Sequence, residues 1–454
     1  MMEEKKTVAF TSIAVNYLPK ARILAKSIKK YHPEWHMVLL LADRIPSWLD
    51  VDKEDFDEIM ALGSLSIGRD YGWVFSHDIE ELCTAIKPFA MTAILSRKNV
   101  ESCLYIDPDM VLFDRLDDLL DEFENGDVLL TPHQLTPGNS YDSIIDHEIG
   151  SLRHGIFNLG FLGVKNNSNG AQVVHWWRDR VKELCLARVD LHLWTDQKWF
   201  NFAPVYFDRI NILRQDRFNV APWNIASRII SGSFEKGFLV NGHPLGFYHF
   251  TGFDNGDHSI QLEKYASVDS GAKDLVKWYK NQNDEENKKM DYMDWFYGYY
   301  SNGERIKLIE RLIYRYRRDL QSDFPNPYEV DEDSYKRWIE TQGKMEYGDL
   351  LNHEEKSGAD IPDIPAAEWL KWFPPEFLGN NKSEYIYPAN IDGNILSNSA
   401  KIKKTRLKIN ASKLTKLLWE FAMNRDRREV LSRKTLAIYK TSGIKGIVAR
   451  VRYK

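Results

Sequence analysis

The chain has 454 residues, 43% hydrophobic and 28% charged, which is too apolar for wholesale disorder and long enough for one large domain with appendages or for two to three domains. Net charge is −5, but residues 401–454 carry 17 Lys+Arg against 3 Asp+Glu, whereas the other 400 carry 44 against 63. A body at −19 argues against a nucleic-acid partner, and a tail at +14 points to an anionic one, a membrane surface foremost.

Residues 1–6 are charged and lack an apolar h-region, so no secretory signal is expected there. The longest apolar run, residues 37–42, is far short of the ~20 that a spanning helix needs. Cys83, Cys103 and Cys185 lie far apart with no C-x-x-C, and read as buried reduced thiols of a cytoplasmic protein.

In chain order, residues 7–14 (TVAFTSIA) read as a strand. Residues 17–31 show helical spacing, with Pro19 suited to a first turn, and 36–42 (HMVLLLA) form the continuous apolar run of a strand buried on both faces. A helical pattern over 79–95 breaks near Pro88, and the strand 102–106 (SCLYI) runs directly into Asp107. Strands alternating with helices predict an α/β fold, a mostly parallel sheet covered by helices. Further strands are predicted at 128–131, 156–164, 205–207 and 245–250, with helices at 171–186 and near 195–202. Past about residue 259 strand signals stop; 261–281 and 303–320 read as helices, 322–400 as a loop-rich wrap, and 411–433 as a basic amphipathic helix. The predicted organisation is a catalytic domain over 1–260, a helical extension over 261–345, a loop-rich segment over 346–400 and a basic tail over 401–454.

Asp-x-Asp occurs four times, but only Asp107-Pro108-Asp109 has β-prone apolar residues on both sides. Carboxylates at the carboxyl end of a buried parallel strand face the crevice in which open α/β sheets bind ligands. Two of them there form an oxygen-rich site for Mg²⁺ or Mn²⁺; the competing reading is an acidic turn between two strands.

The ordered strings TSIAVNYLPKARILAKSI, LYIDPDMVLF, FNLGFLGV, TDQKWFN and HFTG resemble GT-A-fold glycosyltransferases, a Rossmann-like α/β class. They look closest to the nucleotide-sugar-dependent, anomer-retaining family that includes glycogenin and bacterial lipopolysaccharide galactosyltransferases. TAIKPF, LLTPH, FNVAPWN and FYHFTGFD look like a bacterial branch associated with surface polysaccharide. The resemblance spans about residues 7–320. It implies that Thr11, Ser12, Asn16 and Tyr17 hold the nucleotide base and ribose, and that Asp107, Asp109 and His249 ligate the metal. It further implies that Gly252 lies near the diphosphate, that Lys87 and Asn158 contact the donor sugar, and that Asp196 and Gln197 line the sugar face opposite the leaving group. One departure is visible: Gly252 is followed by FDNGDHS, where the family often has Lys-Pro-Trp, which leaves open whether Lys87 or a residue from the basic helices supplies the cation at the leaving group.

Chemistry fits these roles without the resemblance. A histidine ending an apolar run adds a nitrogen ligand that favours Mn²⁺-type ions, or is a satisfied strand-end histidine. Gln197 is uncharged and Asp196 is the better electrostatic partner for a cationic sugar; alternatively Thr195 or Asp196 caps a helix. Trp223, among many tryptophans near these strings, offers a face for a sugar or packs in the core, and His133 and His154 are equally open between site and structure. Leu414, Leu417, Leu418 and Phe421 line one side of the tail helix among Lys413, Lys416, Arg425, Arg427 and Arg428, a pattern for docking on an anionic membrane or for a solvated helix.

The expected protein is a cytoplasmic, metal-dependent glycosyltransferase, peripheral on the inner face of the membrane. Its donor is a nucleotide-diphosphate sugar, a UDP-sugar foremost, and its acceptor a glycan or lipid-linked glycan, as in lipopolysaccharide or capsule synthesis. The alternatives are a sugar nucleotidyltransferase, against which the glycine-free stretch 11–20 counts, and a glycan-binding scaffold without turnover.

Overall fold

A computed structural model describes residues 6–351, apart from 268, 269 and 292. The predicted basic helix over 411–433, the whole 401–454 tail and residues 352–400 lie outside the described residues.

Among the described residues, twelve strands form three sheets. The main sheet holds β1 (Lys6–Ile13), β2 (His36–Leu41), β3 (Glu58–Ala61), β4 (Val100–Ile106), β6 (Val128–Pro132), β7 (Phe157–Lys165) and β8 (Ile210–Ile212), in the order β3-β2-β1-β4-β7-β6-β8. The pairs β1–β2, β2–β3, β1–β4 and β6–β8 are parallel, whereas β7 runs antiparallel to both neighbours. The fold is therefore the α/β class expected, with one reversed strand inserted in a mostly parallel sheet. β5 (Met110–Leu112) leaves that sheet and pairs with β12 (Phe247–His249), and β9 (Ile230–Ser233), β10 (Gly237–Val240) and β11 (His243–Pro244) form a third, small sheet.

Alternation explains the continuous apolar runs. Val8, Phe10, Val38, Leu40 and Tyr105 face one core, while Ala9, Leu39, Leu41, Leu104 and Ile106 face a second core on the opposite side of the sheet. Burial on both faces removes the polar positions that mark a half-exposed strand. Helix α1 (Leu18–Tyr31), with Pro19 in its first turn, makes the β1-to-β2 crossover. The expected break near Pro88 separates Ile79–Ala85 from Lys87–Leu95.

Several predicted elements are corrected. The strand expected at 205–207 is helix Ala203–Tyr206, because Pro204 in its first turn pre-sets helical φ, and the strand comes later, at Ile210–Ile212. The single helix over 261–281 is two, Asp257–Tyr265 and Ala272–Asn287, broken where the Gly271 N–H docks on the Ile230 carbonyl at 3.0 Å. Of 303–320, only Leu308–Tyr316 and Arg318–Asp323 are helical. The loop-rich reading of 322–400 fails over Tyr335–Leu351, which is helical from its Ser334 cap onward; buried Tyr335 packs edge-on against Phe75 and Tyr314. These C-terminal helices share the core of the main sheet through Ile309, Ile313 and Tyr335.

Candidate active site

Strand order reverses at β1, with β2 and β4 on its two sides, so the ends of β1 and β4 open onto a crevice. A cleft of about 940 Å³ occupies it. Phe10 pairs with Tyr105, which sets the segment after β1 beside Asp107, and Ile106 pairs with Phe161, which brings the start of antiparallel β7 to the other side.

The metal-ligand candidates converge through strand pairing. β5 begins at Met110, whose partner on β12 is His249, so His249 sits across from Asp109. Its Nε2 lies 3.0 Å from Asp109 Oδ1 and 3.9 Å from Asp107 Oδ2. One ligand atom from each of the three residues lies within 4.8 Å of the others. His249 Nδ1 is 3.3 Å from Asn158 Oδ1, which leaves Nε2 turned to the carboxylates. Burial pushes the His249 pKa down, but Asp109 and then Asp107 carry it above its ordinary value; burial likewise pushes Asp109 up, and His249 and Lys20 carry it below. Two oxygens and one nitrogen with mutually stabilised charge fit a divalent cation of the Mn²⁺ type.

Gly160 serves the same point. A Cβ there would lie 2.7 Å from Asp107 Oδ2 and 2.6 Å from Met110 Cε, so a side chain displaces the carboxylate. The Tyr105 hydroxyl donates to Asp107 Oδ1, and the Asp107 N–H donates to the Gly160 carbonyl at 2.7 Å.

A second charged layer lies under the first. Buried Lys87 opens the helix Lys87–Leu95 and sits 3.6 Å from Asp107 Oδ1, 3.8 Å from Asp196 Oδ2 and 4.1 Å from the Tyr105 ring centroid. Burial raises Asp196 to about 6, opposed by Lys87 and assisted by Asp107. Asp196 precedes a 3₁₀ turn, Gln197–Phe202, but its side chain does not cap it, and Oδ2 has no hydrogen-bond partner among the described residues. Thr195 before it holds φ +42°, an outlier for a β-branched residue of the kind that gathers at ligand sites.

Gln197 is clamped. Its Oε1 accepts from Asn158 Nδ2 (3.2 Å) and from the Leu159 N–H (3.1 Å), and its Nε2 donates to the His154 carbonyl (3.2 Å). Both lone pairs of the amide oxygen are engaged, whereas Asp196 Oδ2 accepts no hydrogen bond among the described residues.

Of the residues expected at the nucleotide, Ser12, Asn16 and Tyr17 line the cleft, with Ser12 Oγ donating to the Cys83 carbonyl at 2.6 Å. Thr11 is completely buried and is not among the cleft-lining residues. Gly252, at φ +68°, lines the cleft at the turn after β12. Trp223 also lines it, edge-on to His249 at 5.2 Å and to His133 at 5.0 Å; His133 is buried, with its pKa pushed down to about 4 by burial. His154 meets Trp194 at 4.5 Å. Trp177 is core. Cys103 and Cys185 are buried free thiols, whereas Cys83 is half-buried in the cleft wall.

Sequence reading missed Lys20, Gly160 and the rim residues of 141–151, and named His154 only as open between site and structure. A lysine in an amphipathic helix and a glycine in a strand carry no local mark of a site. A second His–acid cluster, His32, Glu34 and Asp117, is self-satisfied: His32 Nε2 accepts the Leu116 N–H, Nδ1 faces Glu34 at 2.8 Å, and Arg115 holds both carboxylates.

No known family profile matches the chain. Two curated proteins of Bacillus subtilis (strain 168) match part of it. Uncharacterized protein YfnF is 25% identical over 181 residues, covering 39% of this chain and 58% of its own. Uncharacterized protein YfnD is 27% identical over 216 residues, covering 47% and 62%. The chain thus spans about three fifths of the length of the curated relatives it matches. Similar solved structures include the glycosyltransferase GlyE of Streptococcus pneumoniae TIGR4 at 16% identity and TM-score 0.35, covering 63% of this chain and 64% of that one. They also include the galactosyltransferase LgtC, in complex with donor and acceptor sugar analogs, at 15% identity and TM-score 0.37, covering 62% and 95%.

Proposed function

We propose that this chain is a GT-A-fold glycosyltransferase that moves a sugar from a nucleoside diphosphate to a glycan acceptor. The observation that carries the reading is the convergence of Asp107, Asp109 and His249 at the strand-order switch point, backed by the buried Lys87–Asp196 pair. In the overall reaction the bond from the anomeric carbon to the diphosphate oxygen breaks with its electron pair on oxygen. The acceptor hydroxyl oxygen bonds to that carbon, and its proton is released along with the nucleoside diphosphate. Asp107, Asp109 and His249 would hold Mn²⁺ or Mg²⁺, which when bound supplies Lewis-acid stabilisation to the departing diphosphate. Ser12, Asn16 and Tyr17 hold the nucleotide, UDP foremost, with Gly252 near the diphosphate. Asn158 and Gln197 brace one another beneath the sugar, and ionised Asp196, kept charged by Lys87, faces the positive charge that develops at the anomeric carbon. Retention of the anomer fits a carboxylate on the sugar face, and it remains part of the proposal.

A lipid-linked acceptor, as in surface polysaccharide synthesis, is supported by the cleft rim. The helical stretch 141–154 presents His147, Gly150, Ser151 and His154 to the cleft. Tyr141, Ile145, Ile149 and Leu152, spaced four, four and three apart, are exposed on it. A helix whose polar residues line the cleft while an apolar stripe faces outward suits an acceptor that arrives attached to lipid. The basic tail is proposed to add reversible docking on an anionic leaflet. Among the described residues no helix is long and apolar enough to cross a membrane.

The test is a screen of nucleotide sugars for release of nucleoside diphosphate, with Mn²⁺ and with chelator. Metal-dependent release supports the reading; release of pyrophosphate instead identifies a nucleotidyltransferase, and no turnover with any donor defeats it. Within an active pair, turnover should fall about tenfold per pH unit below about 6, because protonation neutralises Asp196. Asp196→Asn should be slow and lack that limb; a full acid limb in the variant assigns the titration elsewhere.

A further inference from the structure

Two lysines line the cleft among its described residues, Lys20 and Lys87, against seven carboxylates: Glu80, Asp107, Asp109, Asp146, Asp196, Asp254 and Asp257. Lys87 is already placed between Asp107 and Asp196. Lys20 is different. It sits in the first turn of α1, nearly buried, with its ammonium on the Asp254 carboxylate and 4.2 Å from the Tyr17 ring centroid. The Tyr17 hydroxyl donates to the same Asp254 oxygen at 3.2 Å. Asp254 itself is half-exposed, on the turn between Gly252 and Gly256, both of which hold positive φ.

We infer that Lys20 is the cation that receives the departing diphosphate, and that Asp254 keeps that place until the donor arrives. The inference rests on the glycosyltransferase reading. A carboxylate gripped by an ammonium and a phenol hydroxyl reproduces the contacts that a phosphate oxygen makes. The anchored partner is the lysine, on a rigid helix turn; the exposed partner is the aspartate, on a glycine-flanked loop that can swing away. Replacing one anion with another leaves Lys20 satisfied throughout, and the ammonium is already desolvated where charge grows on the leaving oxygen. In a cleft this acidic, removal of Asp254 from the anion path also lowers the repulsion a diphosphate meets.

Calorimetry on the full-length chain with Mn²⁺ tests this, using UDP, GDP, ADP, CDP and inorganic pyrophosphate as probes. Lys20→Met, which keeps the aliphatic stem, should weaken diphosphate binding by about 10- to 100-fold, and Lys20→Arg should recover most of it. Asp254→Asn should tighten the same binding by roughly threefold, because it removes the competing charge but keeps a hydrogen-bonding group. A merely structural ion pair moves both variants in the same direction, so opposite signs are the diagnostic. Unchanged affinity in Lys20→Met, or weakened affinity in Asp254→Asn, overturns the assignment while leaving the glycosyltransferase reading standing. If Lys20→Met does not fold, Asp254→Asn decides by the sign of its effect alone. A wild-type chain that binds none of the five probes overturns both.

Discussion

Asp109→Ala is expected to lower turnover at least ~10²-fold at saturating donor, with the fold retained. The side chain sits on the turn between β4 and β5, and its nearest charged partner is His249 Nε2 at 3.0 Å. Truncation removes one of three converging ligand atoms and the charge that holds the His249 pKa up. It leaves untouched the backbone bond from Phe250 N to the Asp109 carbonyl, 2.8 Å, which ties the turn to β12. Without Asp109 the burial of His249 pushes its pKa down, so the imidazole can sit neutral and no buried charge is left unpaired, and the melting temperature should stay within a few degrees of wild type. Undiminished turnover would falsify the metal assignment. A matched loss of turnover and of melting temperature would show that Asp109 acts through folding instead.

Lys87→Met is expected to damage both folding and activity. Burial alone would lower the lysine pKa, yet Asp196 and then Asp107 hold it above its ordinary value, so the ammonium is a required countercharge. Without it, buried Asp196 loses its nearest cation. Breaking a buried ion pair from one side costs about 3–5 kcal/mol. That corresponds to a fall of roughly 3–5 °C in melting temperature for a chain of this size. Mn²⁺ should restore part of the loss, because positive charge at Asp107 substitutes for some of what the ammonium supplied. Thermal unfolding with and without Mn²⁺ checks this; a variant that melts within 1 °C of wild type would mean the two aspartates are not coupled through Lys87.

Most of the sheet was readable along the chain, because burial on both faces writes itself as unbroken apolar runs such as 36–42 and 102–106. Asp107-Pro108-Asp109 was legible for the same reason: it interrupts such a run at a strand's carboxyl end. The local misreadings at 205–207 and 335–351 came where apolar and aromatic residues occur without a decisive period, so that Pro204 and the Ser334 cap settled the outcome. What no local pattern contains is who meets whom. His249 reaches Asp109 only because β5 leaves the main sheet to pair with β12, and β7 brings Gly160 to Asp107 only because it runs antiparallel to β4. Lys20 and Asp254 are 234 positions apart, and Asp107 and Asp196 reach Lys87 from positions 20 and 109 residues further along the chain. The sequence by itself determined the class of fold and the identity of the carboxylate pair, since both depend on periodicity and neighbours along the chain. The tertiary structure alone decided which cation faces which anion, because electrostatic energy depends on distance in space and on burial, and neither is a property of sequence separation.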